Sequence, residues 1–478
     1  MRNAELKYWM VLIGMVLVLV GKDLFAEGMF LDGVLYASIS RNLACGMGDF
    51  WNPHYTQTIG SVFHSHPPLA FGLEALMFKA FGDHFFMERI YSLLMFLLSG
   101  LTIVLIWKRT TNNIRLAWLP LLYWIAIPLV TWSENNNMLE NTMTVFVLLS
   151  IYLMVVGVQN NNRSWFIFAG ISLFAAFMTK GFTGLFPLTF PLIYSLFDEN
   201  YKLLRGIIDS LCLLVSLAAV AGLMFWIFPP SLTYMKDYLH LQVLEGGLHE
   251  VTVNSRFFIV LNLLQQMIIP LLVFLLLLII VKISHVHGFG LLKEPSDRKG
   301  FLVFLVLGLS GVLPIMVSLK QSGYYMVAAL PCFALALGHV SNTLIRSMES
   351  TMKPNRYWRV FVTGLSYTVL VIGLMMPLFG IHRYCRDEAL LEDVKKVLTV
   401  TGDEQVLGIA SEDFSNWEWH AYFMRYGKVS LDDKMAHPYI LRNDPNNGLS
   451  LSKIQQFNDS TTFSSLTNVN NSTTITCF

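Results

Sequence analysis

FFIVLNLLQQMIIPLLVFLLLLIIV, residues 257–281, is a run of 25 residues without a single charged side chain. A helix of roughly 17–25 mostly apolar residues spans the hydrocarbon core of a bilayer. Similar runs recur along the 478-residue chain, which is 54% hydrophobic and only 14% charged, whereas a soluble domain is about one quarter charged. The sequence therefore predicts an all-α polytopic membrane protein.

The apolar runs predict about eleven transmembrane helices. The fifth and sixth are short and are separated only by Thr179, Lys180 and Gly181. The first is interpreted as an uncleaved span, because no small-residue cleavage site follows it. The predicted spans cover residues 8–25, 86–107, 116–132, 141–158, 165–179, 182–197, 206–228, 257–281, 301–319, 324–343 and 359–380.

The distribution of Lys and Arg predicts the orientation of the chain. With a cytoplasmic N-terminus, the outer loops before the C-terminal tail carry about half as many basic residues as the inner loops. An odd number of spans then places the C-terminus outside. We expect a multi-pass protein of the inner, cytoplasmic membrane whose polar sites face the extracytoplasmic side. The formal net charge of +1 gives no indication of a nucleic-acid partner.

Two outer segments, residues 26–85 and 229–256, are too long to be simple connections. In residues 26–85, the amphipathic stretches Gly33–Leu43 and Leu69–Phe81 predict interfacial helices in the first outer loop. After residue 380 the composition changes, which predicts a membrane-embedded domain over 1–380 and a small extracytoplasmic α/β module over 381–478. Within that module we expect strands at 404–410 and 428–431, a helix at 416–426 and a disordered Ser/Thr/Asn-rich tail.

Asp32 follows the first apolar run and opens the first outer loop. A carboxylate beside hydrocarbon is costly, so an acid at the outer end of a span is a functional candidate. On a helix that starts near Asp32, Tyr36 lies on the same face and Arg41 to one side. The alternative is that Asp32 caps the N-terminus of that helix.

Other outer segments add one acid and several cations. Glu140 begins an apolar helix, where helix capping is the alternative role. Lys180 lies at the break between two spans, where an ordinary snorkelling lysine is equally consistent. The two tyrosines that follow Lys320 could also be aromatic-belt residues. The candidate site residues in these segments are His64, His66, Glu140, Lys180, Arg256, Lys320 and Tyr325.

One hypothesis is that a metal ion is bound by His54, His64 and His66. A single His-x-His is a weak zinc pattern, and the alternative is that these histidines belong to a solvated turn. The five cysteines show no metal-ligand or disulfide spacing, although a Cys385–Cys477 pair is an alternative if the tail lies outside. The sequence points to no cofactor and leaves a divalent metal open.

Acids and cations spread over several outer loops suit a substrate with an anionic phosphate and a lipid tail. Cations would hold the phosphate, and an acid would deprotonate or orient an incoming hydroxyl.

The ordered set of these motifs resembles the glycosyltransferase-C superfamily, in the bacterial branch related to protein O-mannosyltransferases and lipid A aminoarabinose transferases. The resemblance covers roughly residues 1–345. The matching fragments, in chain order, are Asp32, Tyr36-Ala37, Arg41, Gly48-Asp49-Phe50, Pro53, His66-Pro67-Pro68, Glu88-Arg89, Met138-Leu139-Glu140, Thr179-Lys180-Gly181, Lys320 through Tyr325, and Leu330-Pro331.

The resemblance implies an inverting transfer of a sugar from a polyprenyl-phosphate donor to a lipid, glycan or protein acceptor. It implies that Asp32 is the catalytic acid and Glu140 a second cavity acid. Lys180 and Lys320 would bind the donor phosphate, beside Tyr325. Two positions depart from the pattern: Gly33 stands where many relatives have a second acid, and His66 where the aminoarabinose branch has a lysine.

Two other functions are compatible with a phosphate site near a membrane. A transporter or flippase of a lipid-linked sugar would bind the same phosphate, but it needs polar residues deep in its spans, and the predicted spans have few. A membrane anchor that presents the 381–478 module would not need acids and cations in several separate outer loops. The sequence gives neither the sugar nor the acceptor.

Overall fold

A computed structural model describes residues 2–246, 250–283, 292, 294–351, 356–402, 405–434, 437–444, 448–453, 455–457, 460–462 and 466–468. Its contacts divide the chain into two compact units. The helical unit comprises Met1–Leu24, His64–Ala70 and Arg89–Phe379. The mixed unit comprises Phe25–Phe63, Phe71–Glu88 and Gly380–Phe478.

Helices dominate the described residues. In chain order they are α1 (Arg2–Leu19), α2 (Leu31–Ala44), α3 (Leu69–Phe81), α4 (Met87–Thr111), α5 (Trp118–Ile125), α6 (Pro128–Asn135), α7 (Leu139–Gln159), α8 (Ser164–Lys180), α9 (Phe190–Phe197), α10 (Leu203–Ile227), α11 (Pro230–Tyr238), α12 (Phe258–Ile283), α13 (Pro295–Val312), α14 (Leu330–Thr351), α15 (Arg356–Phe379), α16 (Glu388–Thr401) and α17 (Trp417–Tyr422).

Every predicted span coincides with helical structure. Among the described residues, seven helical segments are long and apolar enough to cross a membrane, or eight if the bent pair α5 and α6 is one span. The protein is thus a mostly helical, multi-pass membrane protein, as predicted. The finer count of eleven spans stays a prediction.

Burial separates the central helices of the helical unit from the peripheral ones. In the most apolar stretch of the segment that contains α14, 89% of the residues are buried, against 11% in α10 and 17% in α12. Because α10 and α12 are apolar on their exposed faces as well, their leucines are suited to contact lipid rather than water.

Several predicted spans are interrupted rather than continuous. α5 and α6 meet at an angle of 77°, where Pro128 begins the second helix. Short 3₁₀ segments occupy Phe182–Thr189, Leu313–Val317 and Gly323–Ala329. Non-helical backbone at membrane depth is tolerated where it lines a cavity or is buried in protein.

The mixed unit contains the strands. β1 (Gly48–Asp49) pairs with β2 (Asn52–Pro53). The main sheet has the order β4-β3-β5-β6-β9, and β3 is parallel to both β4 and β5. The strands are β3 (Val406–Ile409), β4 (Ser430–Asp432), β5 (Tyr439–Asp444), β6 (Gly448–Lys453), β7 (Gln455–Phe457), β8 (Ser460–Thr462) and β9 (Leu466–Asn468).

The elements predicted after residue 380 correspond to β3, α17 and β4, and a π-helical turn at Phe423–Gly427 follows α17. β8 and β9 lie within the predicted disordered tail, whose residues 469–478, including Cys477, are outside the described residues. α2 and α3 match the two predicted amphipathic helices. The division of the chain into 1–380 and 381–478 stays a prediction.

A buried ion network lies inside the mixed unit. Arg425, 4% exposed, donates from Nε and Nη2 to the two oxygens of Glu88 at 3.1 and 2.8 Å. Its Nη1 donates to Asp83 at 2.9 Å, and Arg41 lies 3.4 Å from the other Asp83 oxygen. Burial alone would raise the pKa of Asp83, but Arg425 and then Arg41 outweigh it and hold this pKa below its usual range. We call Arg41, Asp83, Glu88 and Arg425 the Arg425 network.

Candidate functional site

A cavity of about 280 Å³ in the helical unit brings together four of the predicted site residues. His66, Lys180, Lys320 and Tyr325 all line it. We call it the cation cavity. The other lining residues are Phe182, Thr183, Tyr238, Gln242, Pro314, Ile315, Val317 and Ser318.

The 3₁₀ segments supply much of the cavity wall. Phe182 and Thr183 begin the first segment, Pro314 and Val317 belong to the second, and Tyr325 to the third. The first two segments follow the ends of α8 and α13, and the third leads into the start of α14. The apolar members suit a lipid chain, and the lysines suit its anionic headgroup.

Lys180 is the last residue of α8 and is only 7% exposed. Its Nζ lies 2.5 Å from Glu140 Oε1, and it lies over the rings of Tyr324 and Tyr325 at 4.9 and 5.5 Å. A snorkelling lysine would instead extend toward water. Lys180 is thus held inside the unit by a carboxylate and two aromatic faces.

Gly181 explains how α8 can end at this point. Its φ is +88°, a region that favours glycine. A Cβ added here would overlap the hydroxyl of Tyr238, another cavity residue. Glycine is therefore favoured here both by the positive φ of the turn and by the close approach of Tyr238 from α11.

Lys320 lies on a short loop before the third 3₁₀ segment. Its Nζ donates to Gln242 at 3.2 Å and lies 2.8 Å from Glu250. The side chain of Glu250 is 57% exposed and that of Lys320 is 17% exposed. This ion pair is therefore at the cavity rim, where water screens it.

Gln321 fixes the loop that carries Lys320. It is 2% exposed, and its side chain donates to the carbonyls of Ser318 and Arg256 at 2.8 and 3.1 Å. Its side-chain oxygen accepts a hydrogen bond from the Ile259 backbone N–H at 3.0 Å. Its backbone N–H donates to the Thr252 hydroxyl at 2.8 Å, and that hydroxyl donates to its backbone carbonyl at 2.9 Å. A neutral residue in a short loop gave no signal of this role in the sequence.

His66 is held in place by α11. The Tyr234 hydroxyl donates to the His66 carbonyl, and His64 Nδ1 lies 2.8 Å from Asp237, with its ring against Tyr234. Burial first, and then the charges of Lys180 and Lys320, hold the pKa of His66 well below its usual range. The ring is therefore neutral near pH 7.

The remaining predicted residues lie elsewhere. Asp32 is the second residue of α2 in the mixed unit and is not its N-cap, which is Phe30. Tyr36 is buried against Phe71, and Arg41, 1% exposed, belongs to the Arg425 network rather than lining an open surface. Arg256 is exposed and is not a cavity-lining residue.

The alternatives for Glu140 and for a metal can also be compared with the structure. Glu140 does not cap α7, whose N-cap is Met138.

Across the residues that the structure describes, no group of three or more His, Cys, Asp or Glu side chains is arranged to hold a metal. The observed chemistry is a pair of cations, a neutral imidazole and a carboxylate, a set suited to one phosphate.

The chain resembles known sugar transferases in sequence. Residues 65–226 match the model of the dolichyl-phosphate-mannose-protein mannosyltransferase family. Over 180 residues, the chain is 27% identical to the undecaprenyl phosphate-alpha-4-amino-4-deoxy-L-arabinose arabinosyl transferase of Pseudomonas aeruginosa, a stretch that covers 37% of this chain and 32% of that protein. A relative of the same name from Proteus mirabilis is 25% identical over 391 residues, 78% of this chain and 65% of that one. These matches thus span from about a third to just under two thirds of the relatives.

The fold of the chain is also similar to that of solved structures. A crystal structure of ArnT from Cupriavidus metallidurans bound to undecaprenyl phosphate has a TM-score of 0.61 at 16% identity and covers 89% of this chain and 86% of that one. The apo state of the same protein has a TM-score of 0.59.

The family match, the sequence relatives and the shared fold together confirm that this chain resembles the glycosyltransferase-C superfamily, in the branch of the aminoarabinose transferases.

Proposed function

We propose that the protein is an integral-membrane, inverting glycosyltransferase that moves a sugar from a polyprenyl-phosphate donor to a lipid, glycan or protein acceptor. The observation that carries this proposal is the cation cavity, where Lys180, Lys320 and His66 surround a space beside apolar 3₁₀ segments. The names of the sequence relatives, which are undecaprenyl-phosphate sugar transferases, support the choice of donor.

In the proposed reaction, the acceptor hydroxyl attacks the anomeric carbon, and the bond from that carbon to the phosphate oxygen breaks. The electron pair of that bond stays on the phosphate, where Lys180 and Lys320 stabilise the added charge. Asp32 is the proposed base that takes the proton of the acceptor hydroxyl.

Glu140 has a second role in the proposal. Because it lies 2.5 Å from Lys180, it orients this lysine when the cavity holds no phosphate. A donor phosphate then competes with Glu140 for the same ammonium group. Arg256 is kept as a proposed phosphate contact, although its side chain is exposed.

We place the reaction on the extracytoplasmic side of the inner membrane, together with the C-terminus, because Lys and Arg are concentrated in the predicted inner loops. Cys45 follows α2 and is exposed. Labelling of Cys45 by a membrane-impermeant maleimide in intact spheroplasts supports this orientation, and labelling only after lysis contradicts it.

The central experiment uses the purified full-length protein. Undecaprenyl phosphate–aminoarabinose is the first donor to test, with a panel of lipid, glycan and protein acceptors. Asp32→Asn should abolish transfer while the binding of undecaprenyl phosphate is retained, and Asp23→Asn, which changes another acid near the end of the first span, is the matched control. Full transfer by Asp32→Asn would overturn the proposed role of this acid. Movement of the intact lipid-linked sugar across vesicles without transfer would favour the flippase alternative.

A further inference from the structure

A second cavity opens between α4 and α7, at the ends of these helices that are remote from the cation cavity. Its volume is about 500 Å³. The lining residues are Leu105, Lys108, Arg109, Asn112, Tyr152 and Gln159. Glu140 begins α7 and Gln159 ends it. Since a helix rises 1.5 Å per residue, about 30 Å separates the two ends of α7, which is the thickness of a bilayer core.

Contacts at both ends hold α4 beside α7. At one end, Tyr91 and Thr142 share a hydrogen bond of 2.8 Å between their hydroxyls. At the other end, Gln159 Nε2 donates to the Arg109 carbonyl at 2.7 Å. The second cavity lies next to this latter contact, so its walls are fixed by both helices.

The cations of this cavity differ from those of the cation cavity. Lys180 and Lys320 each have a carboxylate partner. Lys108 and Arg109 are exposed, and neither forms an ion pair with an acid in the described part of the chain. Asn112, Tyr152 and Gln159 add side-chain hydrogen-bonding groups to the same lining. This combination suits a phosphate that comes from outside the protein.

An apolar stripe on α4 leads directly to these cations. Leu94, Leu97, Leu98 and Leu101 are 39%, 54%, 37% and 56% exposed. Their spacing of three and four residues places them on one face of the helix, which continues through Leu105 to Lys108. A lipid chain can lie on this stripe while its headgroup reaches the two cations.

We propose that this groove, the α4 stripe together with the second cavity, binds an anionic phospholipid of the membrane leaflet opposite the cation cavity. Its headgroup phosphate is held by Lys108 and Arg109, and one acyl chain lies along the leucine stripe. Basic pockets between transmembrane helices are a known way of recognising acidic headgroups. This site is separate from the proposed donor site and does not depend on the sugar-transfer reaction.

Native mass spectrometry of the purified full-length protein tests the proposal. Dioleoyl-phosphatidylglycerol and dioleoyl-phosphatidylcholine, which share their acyl chains, are titrated in parallel. We expect the wild-type protein to bind phosphatidylglycerol about tenfold more tightly. The Lys108→Gln/Arg109→Gln variant should bind the two lipids equally, and Lys108→Arg/Arg109→Lys should keep the preference.

The matched control is Lys202→Gln/Arg298→Gln. Both residues are exposed, lie at the same end of the helical unit and are absent from the lining of the second cavity. If this control loses the preference for phosphatidylglycerol to the same extent, general surface charge explains the binding and the proposed site is wrong. Displacement of bound phosphatidylglycerol by millimolar inorganic phosphate would overturn the lipid as the ligand, because a free anion would then suffice.

Discussion

The cation cavity and the Arg425 network use similar residues in opposite ways. In the network, one guanidinium satisfies Glu88 with two hydrogen bonds and Asp83 with a third, and all three of these residues lie in the mixed unit. In the cation cavity, Lys180 and Lys320 each have one carboxylate partner and still border about 280 Å³ of open space.

The Arg425 network and the cation cavity differ in their ability to bind a further anion. The fixed fork of an arginine matches a carboxylate with two parallel hydrogen bonds, so Arg425 is committed to Glu88 and Asp83. A lysine ammonium has three donors on a flexible stem and can exchange one partner for another. We infer that the network stabilises the mixed unit and that the cavity is the part of the molecule built for binding.

The largest effect is expected for Arg425→Gln. The change leaves Glu88, which is 1% exposed, without its cation, and loss of one partner of a buried pair typically costs about 3–5 kcal/mol. Denaturation of the detergent-solubilised protein, followed by tryptophan fluorescence, measures the free energy of unfolding.

Arg386→Gln is the control for this prediction. Its side chain is 44% exposed and pairs with Asp387 and Glu418 at the surface, so we expect a loss of about 1 kcal/mol or less. Equal losses in the two variants would mean that the Arg425 network is no more stabilising than a surface pair.

An intermediate effect is expected for Lys320→Gln. Because its partner Glu250 is largely exposed, the free energy of unfolding should change by less than about 1 kcal/mol. Affinity for undecaprenyl phosphate, measured by calorimetry, should fall about tenfold or more, the cost of one hydrogen bond between charged groups. Lys236→Gln, at an exposed position outside the cavity lining, should leave the affinity unchanged. Loss of stability without loss of affinity would contradict the assignment of Lys320.

The smallest effect is a pH dependence that separates the two clusters. The pKa of His66 in the folded protein lies below its ordinary value of about 6.5. The unfolded chain therefore takes up a proton first, and ligand-free stability falls as the pH drops below about 6.5, by at most about 1.4 kcal/mol per pH unit. His66→Gln should abolish this loss between pH 7.5 and 5.5. The lowered pKa of Asp83 means that its contribution persists through this range and is lost only at more acidic pH. If the stability of the wild-type protein stays constant down to pH 5.5, the prediction for His66 is wrong.

The apolar runs were sufficient to predict where the long helices of the helical unit lie, because each span needs a long uncharged stretch, but the short, polar α11 contains no such run. The break at Gly181 was also visible in the sequence. The 3₁₀ segments were not, since Leu313–Val317 and Gly323–Ala329 are as apolar as the helices beside them and their geometry depends on tertiary contacts.

The candidate site could be predicted only in part. Lys180 and Lys320 were identifiable as cations in otherwise apolar surroundings. Arg41 is a candidate because it lies beside Asp32 on the predicted helix, yet its contacts, Asp83 and the carbonyl of Met424, are 42 and 383 residues away. No local pattern reveals such partners.

The contact between Lys180 and Glu140 bears on turnover. A sugar-linked phosphodiester carries one negative charge, whereas the phosphate monoester left after transfer approaches two near neutral pH. Lysines that hold the substrate would hold the spent carrier lipid more strongly still, and product inhibition would follow. A carboxylate already 2.5 Å from Lys180 competes with that product and shortens its residence time. On the proposed reaction, Glu140 therefore limits how long each used carrier occupies the enzyme.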